Sequence, residues 1–287
     1  MYTTREIAAT THLDLHHERL ASSALEGMAR QIRERYVPVM WNHDIRFPPL
    51  GRVTSARVVD LDDGEQALET ESEIWESGDP IASLAGDGRV LVKEHFDAPG
   101  FEVRVDRGFR SEEDRQATVE IAQLDGRGRR PVLVGKKALE PDPVLVIAVG
   151  TIAGAIALGF FQRLGEDIYE QLKSRLARLV SEREQPLLID FDITFEHDGR
   201  KTLHVLLHGP SSAQVEDLFD RRFEGVDIEV ERCLQDVADL DRVVTSWVDG
   251  SIVLNYALRQ DGVPVLLGRA IPSDLGLGPE EAGPTGR

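Results

Sequence analysis

The stretch PVLVIAVGTIAGAIALGFF, Pro143 to Phe161, decides how this chain is divided. It runs 19 residues without a charge, close to the roughly 20 that a helix needs to cross a bilayer core. Gly150 and Gly154 stand four apart, and Ala157 and Gly159 continue the run of small residues. A helix over this stretch would present a GxxxG face on which a second helix packs closely, in lipid or in protein. The spacing therefore predicts a helix that touches membrane or is buried in a homo-oligomer or between domains. Lys136 and Lys137 precede it and Arg163, Lys173 and Arg175 follow it, so charge asymmetry gives a membrane span no orientation.

Beyond it, Leu164, Ile168, Leu172, Leu176 and Leu179 recur every three or four residues, while Arg163, Glu166, Asp167, Lys173 and Arg178 face elsewhere. That is the pattern of an amphipathic helix. Read as one rod, Val144 to Val180 would extend on the order of 55 Å at 1.5 Å per residue. Ala138 to Pro143 (ALEPDP) and Ser181 to Pro186 (SEREQP) have linker composition. The expected organisation is a β domain over 1–138, a connecting helix over 139–185, a small α+β domain over 186–272 and a disordered tail over 273–287.

In the first of these, Ser23 and Glu26 have capping-box spacing, and Leu20, Ala24, Leu25, Met28 and Ile32 share a helix face. A strand is expected before this helix, around Ile7 to Leu15. After it, Tyr36 to Leu68 reads YVPVMWNHDIRFPPLGRVTSARVVDLDDGEQAL. Val37, Val39 and Trp41 alternate into a short strand that ends at Asn42, His43 and Asp44. Arg52 to Leu61 forms a second strand, Asp63-Gly64 the turn, and Glu65 to Trp75 a third.

Strand, helix, an Asn42-His43-Asp44 strand, Leu50-Gly51-Arg52-Val53 and then Asp63-Gly64 resemble the prohead (capsid-maturation) protease family of tailed phages over about the first third of the chain. The resemblance implies an antiparallel β-barrel-like fold, a serine peptidase activity with His43 at the position of the family's catalytic histidine, and a phage-related or antiphage setting. The family's nucleophile follows in a context like G-x-x-x-x-S-x-G-F. The matching stretch here, Gly86 to Phe96 (GDGRVLVKEHF), has no serine.

Two readings follow. One is a non-catalytic interaction or assembly protein on a protease-like fold, self-associating or membrane-associated through the 143–161 helix and its Gly150 and Gly154. The other is a serine peptidase with His43 as general base and Ser83 or Ser77 as nucleophile, which would still need a carboxylate to orient the imidazole.

Other candidates carry less. Cys233 sits among Val230, Leu234 and Val237, a setting for a buried structural thiol, and a single cysteine forms no internal disulfide. His12, Asp14 and His16 would share one strand face, but no metal-binding helical or CxxC spacing accompanies them, so a solvated face is expected and no metal. His197, His204 and His208 scatter over a later hairpin. Leu124 to Arg130 (LDGRGRR) lacks a Walker lysine, so no nucleotide cofactor is expected.

A formal charge of −18 excludes the basic footprint that nucleic acid requires. Met1 to Leu20 has no continuous apolar core, so secretion is not expected and the location is cytoplasmic or inner-membrane associated. In the last domain, Leu187 to Phe195 and Lys201 to Leu207 pair about a turn at His197 to Gly199. A helix over Ser212 to Phe223 follows, then strands at Arg242 to Trp247 and Ile252 to Leu258 about Asp249-Gly250, with an edge strand at Val263 to Leu267.

Overall fold

The computed structural model describes residues 1–13, 19–40, 44–75, 88–91, 100–106, 108–109, 111–133 and 143–265. Its first part is β1 (Tyr2–Thr10), α1 (Ser22–Glu34), β2 (Val37–Val39), β3 (Gly51–Asp60) and β4 (Gln66–Ile74). The four strands form an open antiparallel sheet in the order β1-β4-β3-β2. The β2, β3 and β4 segments and the Gly64 turn, with its positive φ of 83°, follow the expected hairpin. Among the described residues the expected β-barrel-like domain is not closed: β1 and β2 are sheet edges, and α1 covers one face through Leu25, Ala29 and Ile32 against Ala56 and Leu68.

The rest is one eight-stranded mixed sheet. It is built from β5 (Phe101–Val105), α2 (Glu112–Ala122), β6 (Val132–Leu133), β7 (Val144–Ile152), α3 (Ile156–Leu164), α4 (Glu166–Ser181), β8 (Leu188–Glu196), β9 (Arg200–His208), α5 (Ser212–Asp220), α6 (Val226–Asp236), β10 (Leu240–Val248), β11 (Ser251–Arg259) and β12 (Pro264–Val265). The strand order is β12-β11-β10-β9-β8-β7-β5-β6. Two crossovers repeat: β7 passes through α3 and α4 to parallel β8, and β9 passes through α5 and α6 to parallel β10. Antiparallel hairpins β8–β9 and β10–β11 link these units.

The long connecting helix is thus overturned. Val144 to Ile152 is a strand near the middle of the sheet, hydrogen-bonded to β5 on one side and β8 on the other. Its β-branched residues suit a strand buried on both faces, which shows no alternation to betray it. Gly150 lies within the strand, and Gly154, at φ 84°, turns the chain into α3. The small residue that packs closely is Gly159: a Cβ there would overlap the Ile152 side chain, so its absence lets α3 lie directly on β7. The amphipathic piece is α4, a separate helix after Gly165. Residues assigned to three domains therefore share one sheet. Among the described residues no helix is long and apolar enough to cross a membrane. The expected tail, 273–287, lies outside the described residues.

Six helices in all accompany the two sheets among the described residues, and α2 to α6 cover one face of the large sheet. Leu145, Ile147 and Val149 of β7, Phe191 of β8, Val205 of β9 and Val243 of β10 face them, with Phe160, Tyr169, Phe219 and Phe223 packed above. Phe191 meets Phe160 and Phe223 edge to face, with centroids 5.9 and 5.2 Å away. The four-stranded sheet joins the other face through Tyr36, Ile45 and Leu91, which pack on Val144, Leu188, Leu206, Val244, Tyr256 and Leu258.

Candidate functional site

Because side chains alternate along a strand, the residues between those facing the helices form the opposite face. On β5 these are Glu102 and Arg104, on β8 Asp190, Asp192 and Thr194, on β9 Thr202 and His204, and on β10 Arg242 and Ser246. A face so rich in charge ordinarily meets water. Here Asp190 is 4% exposed and His204 7%, so its polar groups must find partners within the protein or in a ligand.

The pairing of β8 with β9 places Asp192 opposite His204 and Asp190 one diagonal step away. Both Asp190 oxygens lie 3.0 Å from His204 Nδ1. A carboxylate can only accept, so Nδ1 carries the proton and Asp190 fixes both the ring orientation and the tautomer. The other ring nitrogen, Nε2, is buried and has no hydrogen-bond partner among the described residues.

Asp192 completes the centre. Burial pushes its carboxyl above the ordinary carboxylate range, His204 opposes that shift, and Asp190 adds to it. Arg104 Nη1 reaches Asp192 at 3.4 Å, and its Nε donates to Glu102 at 2.6 Å. Across β9, Val244 stands opposite His204 and Arg242 two residues before it, on the same face. The Nε of Arg242 is also buried without a partner among the described residues.

The margin of this cluster is closed by Tyr256 and the 44–47 segment. The Tyr256 hydroxyl donates to the Ile45 carbonyl at 3.0 Å, and burial pushes that phenol upward. Asp44, flanking Ile45, holds Arg46 in a two-pronged ion pair. No protein-family model, no curated protein and no solved structure matches the chain. The resemblance to prohead proteases therefore rests on the motif residues alone.

Of the expected site residues, His43, Ser77 and Ser83 lie outside the described residues. Gly150 and Gly154 are not on a helix and form no helix-packing face. His12 pairs with Asp63, Nε2 to Oδ2 at 2.6 Å, at the surface; Asp14, His16 and His17 lie outside the described residues. Cys233 is buried in α6, its thiol pushed up to about 12 by burial. No group of residues suited to a metal occurs among those described.

The sequence reading missed the buried pair. Its signal was the hairpin itself: with the turn at His197 to Gly199, residues equidistant from Asp198 face one another, and Asp192 then meets His204. Chemically, the pair presents one oriented imidazole nitrogen. No hydroxyl or thiol among the described residues bonds to it, so an acyl-transfer nucleophile is not supplied there.

Proposed function

We propose that this chain is a non-catalytic binding protein whose ligand seat is the charged face of the large sheet, beside Tyr256 and the 44–47 segment. The observation that carries this reading is the Nε2 of His204, held in one orientation by Asp190 and buried without a partner among the described residues. A buried polar atom left unsatisfied costs about 1–3 kcal/mol, and a ligand that completes it recovers that cost on binding. Self-association through a 143–161 helix loses its basis, because that helix is a strand and a separate short helix.

The test is thermal stability of the full chain against a panel of small polar molecules, with neutral sugars, amino acids, dicarboxylates and nucleotides each represented. At least one class raises the melting temperature of the native chain and leaves His204→Ala unmoved. A panel inert on both, together with labelling by a serine-reactive phosphonate that His43→Ala abolishes, would overturn the proposal in favour of a peptidase.

A further inference from the structure

What the seat accepts follows from its two unsatisfied groups. Arg242 is a permanent cation with donors only, and its Nε is buried without a partner among the described residues. It stands diagonally from His204 on the adjacent strand and the same face. The charged groups around them are Asp190 and Asp192 from β8, Glu102 and Arg104 from β5, the Tyr256 phenol from β11, and the Asp44–Arg46 pair on the covering segment. Two of the guanidiniums are committed: Arg104 to Glu102 and Asp192, Arg46 to Asp44. Among the described residues no carboxylate pairs with Arg242 in this way, although Asp192 feels its charge.

A cation in this place would meet the Arg242 charge, and an apolar group would leave both nitrogens desolvated and unpaired. An oxyanion satisfies both. It accepts from the guanidinium and lies against Nε2, where an imidazole carrying hydrogen on both nitrogens donates to it while Asp190 balances the charge. Asp192 would repel an anion if ionised, and burial favours its neutral form.

We propose that the charged face of the large sheet binds an oxyanion, the phosphate or carboxylate group of a small ligand, between the Arg242 guanidinium and Nε2 of His204. The proposal rests on the binding reading above and names its ligand class. Asp190 acts as a positioning residue for the imidazole, while Arg242 and His204 make the contacts.

Sulfate and acetate are the probes, added to the full chain at ionic strength matched with sodium chloride. At least one probe raises the melting temperature above the chloride control and moves the His204 Nε2 resonance in the native chain. Arg242→Gln weakens the affinity by about tenfold or more, the loss of one charge-assisted hydrogen bond, and Arg242→Lys retains part of it.

A response to sulfate alone indicates a phosphate-type ligand, and one to acetate alone a carboxylate. The proposal is overturned if both probes leave Nε2 unmoved, or if Arg242→Gln responds like the native chain. A neutral compound that stabilises the native chain and not His204→Ala would keep the binding reading and remove the anion.

Discussion

Asp192 is the residue whose charge is most at odds with its place. Burial raises its pKa above the unfolded value, so its contribution to stability is complete below the ordinary carboxylate pKa and is lost as pH rises through the raised value. Asparagine in its place stays neutral throughout. Asp192→Asn should therefore gain stability relative to the native chain as pH is raised from about 4 to about 8, read from denaturant midpoints at the two ends. A difference that stays constant with pH would mean that Arg104 compensates the buried carboxylate fully. Cys233 gives a second residue-scale expectation. With no side-chain exposure and a thiol pushed up to about 12, it should resist a disulfide reagent in the folded chain and react only on unfolding, since the thiolate is the nucleophile. Fast labelling of the native chain would show that α6 opens readily.

At the scale of elements, the sequence spoke clearly wherever one face of a strand or helix is apolar and the other polar. The β3–β4 and β10–β11 hairpins turn at Gly64 and at Asp249-Gly250, as their aspartate-glycine pairs imply, whereas the capping box expected from Ser23 and Glu26 does not form, because α1 starts after Ala21 with no side-chain cap. It misled at Pro143 to Phe161 for a physical reason. Leu145, Ile147 and Val149 face the helices while Val144 and Val146 face the covering segment, so β7 has no polar side and joins an equally apolar α3. Strand and helix together imitate a membrane span in length.

Gly159→Ala separates the two arrangements. In the fold, the new methyl meets Ile152 and costs about 1–3 kcal/mol by overpacking, set against a gain of up to about 1 kcal/mol in helix propensity. Ile152→Ala removes the obstacle, so the double variant should be more stable than the sum of the singles by about 1 kcal/mol. In one continuous helix these positions would lie about 10 Å apart along the axis, and no coupling would appear in denaturant melts.

The candidate site was legible in pieces and hidden as a whole. Each strand bearing Asp190, His204 and Arg242 was read, and their joint placement was not, because it depends on the parallel pairing of β9 with β10. That pairing is made by a crossover through α5 and α6, and no local pattern in the strands announces it. The cover was likewise invisible, since Ile45 and Tyr256 are 211 residues apart in the chain.

Over the whole molecule, the described residues through which the two sheets meet lie beside the proposed seat. Tyr36 is 1% exposed in the small core between the sheets. Its N–H donates to the Val90 carbonyl at 3.0 Å, and Leu91 N–H donates to Gln260 at 3.3 Å. Arg89 ties the same segment to α1 and β3 by donating to the carbonyls of Ile32 and Val53 at 2.7 and 2.8 Å. The large core against the helices is separate from this junction. Tyr36→Ala should therefore cost about 3–5 kcal/mol locally, the range for deleting a buried aromatic ring, while leaving the helix-covered core intact. Native-state hydrogen exchange should show faster amide exchange in β2, β3 and residues 88–91, with β7, β8 and β9 keeping their protection. A uniform loss across both sheets would instead show that they unfold as one unit.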